Sequence, residues 1–402
     1  MTVTTSYDVS AVRAHFPALD EGAAHFDGPG GSQTPDVVAD AVAGTLRAAI
    51  ANRGVQTAAE RRADGIVGQA RRAMADLLGA TPDGIVFGRS MTQLTYDISR
   101  MLAKTWGSGD EIVVSALDHD ANIRPWVQAA AARDVTVRWA EFDPATGELA
   151  VEAVAGLLSE RTRLVAVTGA SNLLGTRPDV PAIAAAAHEA GTLVYVDGVH
   201  LTPHARVDVA ELGADFYACS PYKFLGPHLG ALAASPALLE SLRPDKLLPM
   251  TDAVPERFEL GTLPYELLAG TTAAVDFLAG LLPGNGSRPD RLDASMRAME
   301  EHETALRVRL EAGLAAIPGV TLHGSPDRPR TPTVLFSVDG LAPETVYARL
   351  ARAGVNAPAG SFYAPECARR LGLGDAGAVR AGIAPYTDES DVDRLVTGVA
   401  QL

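Results

Sequence analysis

The chain reads as an α/β protein in which a mostly parallel, doubly wound sheet is followed by a smaller C-terminal α+β domain. Three observations predict it. Short apolar runs alternate with stretches of helical periodicity over most of the first two thirds of the 402 residues, the pattern of successive βα units. An apolar content of 47% at this length can bury a sizeable core and supports two domains. A stop signal at Pro283-Gly284-Asn285-Gly286 ends that series, and a different arrangement of elements follows it.

The elements follow in order. Val9 to Leu19 is a short amphipathic stretch, within an N-terminal arm expected over 1–22 and packed on the small domain. Helical patterns run from Gln33 to Ala51 and from Ala58 to Leu78. Strand-like runs come near Ile85, Ile112, Val137, Leu164, Leu193 and Phe216, and Leu229-Gly230-Ala231-Leu232-Ala233 closes the set. Between the first two, Thr92-Gln93-Leu94-Thr95 opens a periodic helix that runs towards Trp106. A long helix from Glu266 to Leu282 completes a large domain over 23–283. A helix around Met296 to Ala316, with strands at Val320–His323 and Thr333–Val338, belongs to a small domain over 284–402.

Composition narrows the class of function. A net charge of −15 and a pI near 5.0 argue against a nucleic-acid partner. No run reaches the roughly 18 apolar residues of a membrane span, and the start, Met1 to Asp8, has neither the basic nor the apolar region of a signal peptide. Two cysteines, Cys219 and Cys367, form no disulfide framework, so a reducing, cytoplasmic setting is expected. No cluster has the spacing of a metal or nucleotide site.

Only three lysines stand against thirty-one arginines, and one of them, Lys223, lies just after an apolar run in Asp215-Phe216-Tyr217-Ala218-Cys219-Ser220-Pro221-Tyr222-Lys223. An arginine does not lose its proton to attack a carbonyl, whereas a desolvated lysine becomes a neutral amine that forms a Schiff base. Upstream, the strand-like Gly191 to Val196 ends in Asp197, at the strand end where open α/β sheets bind ligands. Alone, Asp197 also suits a helix cap. Together, Lys223 and Asp197 match what pyridoxal phosphate needs: a lysine for the imine and an acid for the pyridinium nitrogen.

Seven segments then carry a resemblance: His25-Phe26-Asp27, Arg89 to Gln93, Leu117 to Asn122, Ser171 to Gly175, Asp197 to His200, Ser220 to Lys223, and Glu259 to Pro264. In this order the chain resembles, over nearly its whole length, the class V aminotransferase or cysteine desulfurase-like branch of fold type I pyridoxal phosphate enzymes. The resemblance implies that Lys223 binds the cofactor and moves the substrate's α-proton, with Asp197 on the pyridinium nitrogen. It implies that His119 stacks on the cofactor ring and relays protons, and that Asn172 bonds the phenolic oxygen. His200 stands where desulfurases usually carry glutamine and could make a similar bond.

The phosphate cradle has a physical basis as well. Gly84 to Gly88 reads as a strand, Arg89 to Met91 as a turn and Thr92 as the start of a helix, whose free N–H groups and dipole suit a phosphate. Thr92 adds a hydroxyl, though it is equally a good cap. The resemblance adds Ser220 as a ligand and Tyr222 in place of a common histidine. It also implies that Gly261 and Thr262 complete the cradle of a partner subunit, hence a homodimer with active sites shared across the interface.

Arg380, in Ala378 to Tyr386, matches the family's carboxylate-binding arginine, and a guanidinium fork suits an amino-acid carboxylate. Taken alone it also reads as a solvated edge-strand residue. Two glycine-rich stretches have plainer readings. Gly28-Pro29-Gly30-Gly31-Ser32 lines the substrate side by family position, and Gly226-Pro227-His228-Leu229-Gly230 lets the backbone turn tightly.

The departure from the family is in Ala359-Gly360-Ser361-Phe362-Tyr363-Ala364, where Tyr363 occupies the position of the desulfurases' nucleophilic cysteine and becomes a candidate substrate contact. Cys367 is one helical turn further on if that stretch is helical, as a persulfide carrier or, more ordinarily, a packed thiol. The expected function is a lyase cleaving a C–S or C–Se bond of a small sulfur-containing amino acid without a catalytic cysteine. A class V aminotransferase or epimerase shares the chemistry, and a non-catalytic sulfur-transfer partner is the third reading.

Overall fold

The computed structural model describes residues 7–325 and 328–402; the first six residues of the expected arm lie outside it. Strand β1 (Ala24–His25) leads into the chain, and seven strands then build the principal sheet: β2 (Ile85–Gly88), β3 (Glu111–Ser115), β4 (Thr136–Ala140), β5 (Thr162–Thr168), β6 (Leu193–Asp197), β7 (Phe216–Cys219) and β8 (Gly230–Ala234). Their order is β2-β8-β7-β6-β5-β3-β4. Only β8 runs against its neighbours. The other contacts, from β7 through β6, β5 and β3 to β4, are parallel.

Except along the edge strand β4, which is partly exposed, both faces of this sheet are covered, which explains why its strands read as apolar runs. Val113, Val165, Val167, Val194 and Val196 face one core, whereas Ile112, Val114, Leu164, Ala166 and Tyr195 face the other. The period of two places each set on its own side. The first core takes the helix Ala58–Leu78, which starts at a reciprocal Thr57–Glu60 cap and ends at left-handed Gly79. The second takes Met91–Leu102, where Leu94, Ile98, Met101 and Leu102 form the apolar stripe.

The C-terminal region contains β9 (Val320–His323), β10 (Thr333–Val338), β11 (Val355–Asn356), β12 (Ala359–Gly360) and β13 (Ala378–Gly382). Four of them form an antiparallel sheet in the order β12-β13-β10-β9, and β11 pairs in parallel with β1. Ala24 and Phe26 thus pack in the C-terminal core rather than with the residues that follow them. The arm contacts both regions: the Tyr7 hydroxyl donates to the Pro385 carbonyl and Arg13 pairs with Asp391, both at 2.7 Å, while Val12 and Phe16 pack in the large core, Phe16 with its ring 5.8 Å from that of Phe277.

One helix, Arg288–Ala315, is two turns longer at its start than the periodicity predicts. Its first residues are charged and give no apolar period; a Ser287–Asp290 capping box with Pro289 in the first turn fixes the start instead. Leu292, Met296 and Met299 sit in the large core and Leu306, Leu310 and Leu314 in the C-terminal one, so this helix ties the two together. Among the described residues no helix is long and apolar enough to cross a membrane.

Candidate active site

The loops after β3, β5, β6 and β7 converge at the carboxyl ends of four parallel strands, where an open α/β sheet leaves a crevice. A cavity there is lined by Met91, Thr92, His119, Asn172, Asp197, His200, Ser220, Tyr222 and Lys223. A wider outer cavity shares Thr92, His119, Asn172, Tyr222 and Lys223 and adds Pro29, Gly30, Phe362, Tyr363 and Arg380. All the cofactor and substrate residues singled out in the sequence therefore gather here except Gly261 and Thr262, which are exposed and line neither cavity.

Lys223 ends a single 3-10 turn after β7, and its ammonium donates to the Pro29 carbonyl and lies 5.3 Å from the Tyr222 ring centroid. Burial, then the positive charge of Arg380, brings its pKa down to about 7, against the pull of Asp197. A substantial share is then neutral amine near pH 7. Asp197 is the last residue of β6, 4% exposed, and accepts from the Val199 N–H at 2.9 Å. Burial pushes it up to about 6. Its neighbour must be glycine, since a Cβ on Gly198 would fall 1.9 Å from the Tyr217 ring.

At one end of the cavity the helix Met91–Leu102 begins, with Ser90 as its cap accepting from Gln93 N–H. The N–H groups of Met91 and Thr92 precede the helix's own bonding pattern and remain for an anion. The residue that permits this is Gly230 on β8: a Cβ there would meet the Ser90 carbonyl carbon at 2.2 Å. Sequence reasoning gave the 226–230 glycines to a tight turn, yet neither Gly226 nor Gly230 has positive φ. The left-handed residue is Leu225, at φ 69°. His228, exposed, stacks on Tyr222 at 4.7 Å and 9° and so braces that ring.

His119 follows β3 on a loop fastened from below. Asp118 accepts from Asn122 Nδ2 at 2.6 Å and from Thr168 N–H at 3.1 Å, and Asn122 accepts from Trp126 Nε1 at 3.0 Å. The Ala121 N–H donates to His119 Nδ1 at 3.0 Å, so the neutral ring carries its proton on Nε2. Burial and the nearby cations Lys223 and Arg380 bring its pKa down to about 4. Its ring stacks on Tyr363 with centroids 5.7 Å apart.

On the other side, His200 bonds Thr333 Oγ1 at 2.8 Å through Nε2, while its Nδ1 is buried without a partner among the described residues. Burial holds the ring neutral. Asn172 donates through Nδ2 to the Phe362 carbonyl at 2.9 Å, and its Oδ1 is likewise buried and unpartnered. Arg380 lies on β13, a central strand of its sheet rather than an edge, and is 2% exposed. Burial lowers it to about 9, so it remains charged at neutral pH. Phe362, which sequence reasoning did not select, covers the Arg380 guanidinium at 3.8 Å.

Cys367 lies on the short helix Pro365–Arg370, 0% exposed, where burial pushes its thiol up. Cys219 is also fully buried, its thiol pushed up to about 12. Neither lines either cavity.

An amine of lowered pKa, a buried carboxyl, a helix start open to an anion and two unpartnered buried polar atoms fit a flat, polar-edged ring bearing a phosphate. Fold and site together define a fold type I pyridoxal phosphate enzyme. The aminotransferase class-V family model matches residues 24–395, and the chain belongs to that family. It is 35% identical over 400 residues to the uncharacterized protein MT3887 of Mycobacterium tuberculosis, covering 99% of this chain and 100% of that one. It is 33% identical to a probable cysteine desulfurase of Pseudomonas aeruginosa, covering 95% of each. The crystal structure of the cysteine desulfurase CsdA of Escherichia coli superposes with a TM-score of 0.87 at 28% identity, covering 99% of this chain and 98% of that one.

Proposed function

We propose that this chain is a pyridoxal phosphate-dependent lyase that cleaves the C–S or C–Se bond of a small amino acid without a protein thiol as acceptor. The observation that carries the reading is the burial of both cysteines, with Tyr363 rather than a thiol at the mouth of the cavity. The bound cofactor supplies an electron sink next to the substrate's Cα.

The chain's own residues supply the rest. The Thr92 and Ser220 hydroxyls and the first N–H groups of the helix hold the phosphate, Asp197 holds the ring nitrogen's proton, and Asn172 Oδ1 and His200 Nδ1 face the ring's polar edge. Arg380 grips the substrate carboxylate. Lys223 Nζ, as neutral amine, takes the α-proton, and the C–S bond then breaks with its electron pair leaving on sulfur. His119 would stack its imidazole face on the ring, with its Nε2–H at the rim to relay a proton. Gly261 and Thr262, exposed on one chain, fit a cradle completed by a second copy in a homodimer.

The test is a spectrum of the purified protein followed by cysteine, cysteine sulfinate and alanine in separate cuvettes. Pyruvate released with sulfide from cysteine, or alanine released with sulfite from cysteine sulfinate, where the C–S electron pair stays on carbon and the sulfur leaves oxidised, supports the lyase when it is lost in Lys223→Ala. Bleaching to the amine form of the cofactor without loss of sulfur would replace it with an aminotransferase, and racemised substrate with an epimerase. A protein that takes up no cofactor would be the non-catalytic partner.

A further inference from the structure

Two consecutive non-glycine residues, Phe362 and Tyr363, adopt left-handed φ values of 52° and 57°. Such backbone is unfavourable for a residue with a side chain and persists only where its surroundings hold it. Here the surroundings are parts of the site. The Phe362 carbonyl accepts from Asn172 Nδ2 at 2.9 Å, and the Tyr363 carbonyl accepts from the Asp120 N–H, next to His119, at 2.7 Å. The pair is the centre of a turn closed by the Ala364 N–H on the Ser361 carbonyl at 2.8 Å, and the two outward carbonyls fasten that turn to the cofactor side of the cavity.

The same twist lays the Phe362 ring on Arg380, with the guanidinium carbon 3.8 Å from the ring centroid. Arg380 Nη1 is already committed to the Asn172 carbonyl at 2.8 Å, whereas its Nε is buried without a partner among the described residues. Nη2 lies on the Gly30 side, where even an added Cβ would stay 3.8 Å away. One face of the guanidinium is therefore covered and one nitrogen is tied. The Nε–Nη2 edge is left for a ligand.

We propose that Phe362 is a positioning residue that presents the Nε–Nη2 edge of Arg380 for side-on, two-point binding of the substrate carboxylate, and through its carbonyl sets Asn172 in the same movement. The inference rests on the reading of Arg380 as the carboxylate grip. An aromatic face over a desolvated guanidinium is a directional restraint that an aliphatic side chain of similar bulk does not supply. Two parallel bonds need that planar alignment more than a single contact does.

The test compares glycine with methylamine, which lacks the carboxylate, by titrating the absorbance change of the bound cofactor in the holoenzyme. The wild type is expected to prefer glycine, and Phe362→Leu to lose about tenfold of that preference while its affinity for methylamine is kept. Phe362→Tyr, which retains the ring, should keep the preference. A general distortion of the site would weaken both ligands alike and leave the ratio unchanged, which overturns the proposal. If Phe362→Leu does not fold, Phe362→Met makes the same comparison. A wild type with no preference for glycine would remove Arg380 as the carboxylate grip, and the role of Phe362 with it; a wild-type preference that survives in the ringless variants removes the role of Phe362 alone.

Discussion

His200 Nε2 lies 2.8 Å from Thr333 Oγ1, tying the loop after β6 to the first residue of β10 in the other sheet. The bond fixes the ring so that the unpartnered Nδ1 stays at the cavity wall. Thr333→Val keeps the shape and removes the hydroxyl. A lost hydrogen bond of this kind is worth about 1 kcal/mol, so cofactor affinity should weaken by roughly three- to tenfold. Equilibrium titration of the cofactor-free protein reads it. Unchanged affinity would mean that His200 Nδ1 does not contact the cofactor.

Lys223 gives a pH prediction. Its folded-state pKa, about 7, lies below the roughly 10.4 of a free lysine. Between those values the folded chain holds fewer protons than the unfolded one, so this group makes stability rise with pH across that window. Its penalty is fully present below pH 7. In the cofactor-free protein, Lys223→Met should therefore raise Tm at pH 6, with the gain shrinking as pH approaches 10. Amine-reactive labelling of wild-type Lys223, followed by mass spectrometry, should have a midpoint near pH 7. A midpoint near 10 would contradict the desolvated amine.

Cys367 packs with the residues of the large core rather than facing the cavity. Iodoacetamide should leave it unmodified in the native protein, because burial both shields the thiol and keeps it protonated. Cys367→Ala should cost stability of about 1 kcal/mol and leave sulfur release within about twofold of wild type, a change too small to signal a lost nucleophile. A collapse of activity with an unchanged Tm would restore a persulfide route.

The principal sheet was legible because its strands other than the partly exposed edge strand β4 are buried on both faces and read as apolar runs; β8 begins one residue later than expected, at Gly230. Asp197 and Lys223 were legible as a pair because each follows such a run, and the structure brings both to one cavity. What the sequence concealed depends on contacts between distant residues. The start at Arg288 is set by a cap rather than by periodicity. Gly230 is needed for its close approach to Ser90, and nothing local to 226–230 displays that contact. Phe362 acts through a ring placed over a residue eighteen positions away by a backbone twist that no propensity predicts.

Gly261 and Thr262 are exposed on one chain, with Gly261 at φ 83°, next to Leu260, which is 54% exposed. If they complete the partner's cradle, two defects on different chains should complement each other. Lys223→Ala removes the amine, and Thr262→Glu sets a negative charge against the phosphate; each alone should be inactive. When the two are co-expressed, about half of the dimers are mixed by random pairing of equivalent chains. In a mixed dimer, one site combines both defects. The other has an intact Lys223 from the Thr262→Glu chain and an intact Thr262 from the Lys223→Ala chain. With half of the dimers mixed and one of two sites whole, activity should recover to about a quarter of wild type. If each chain instead completed its own cradle, every site in the mixture would carry one defect and no activity would return.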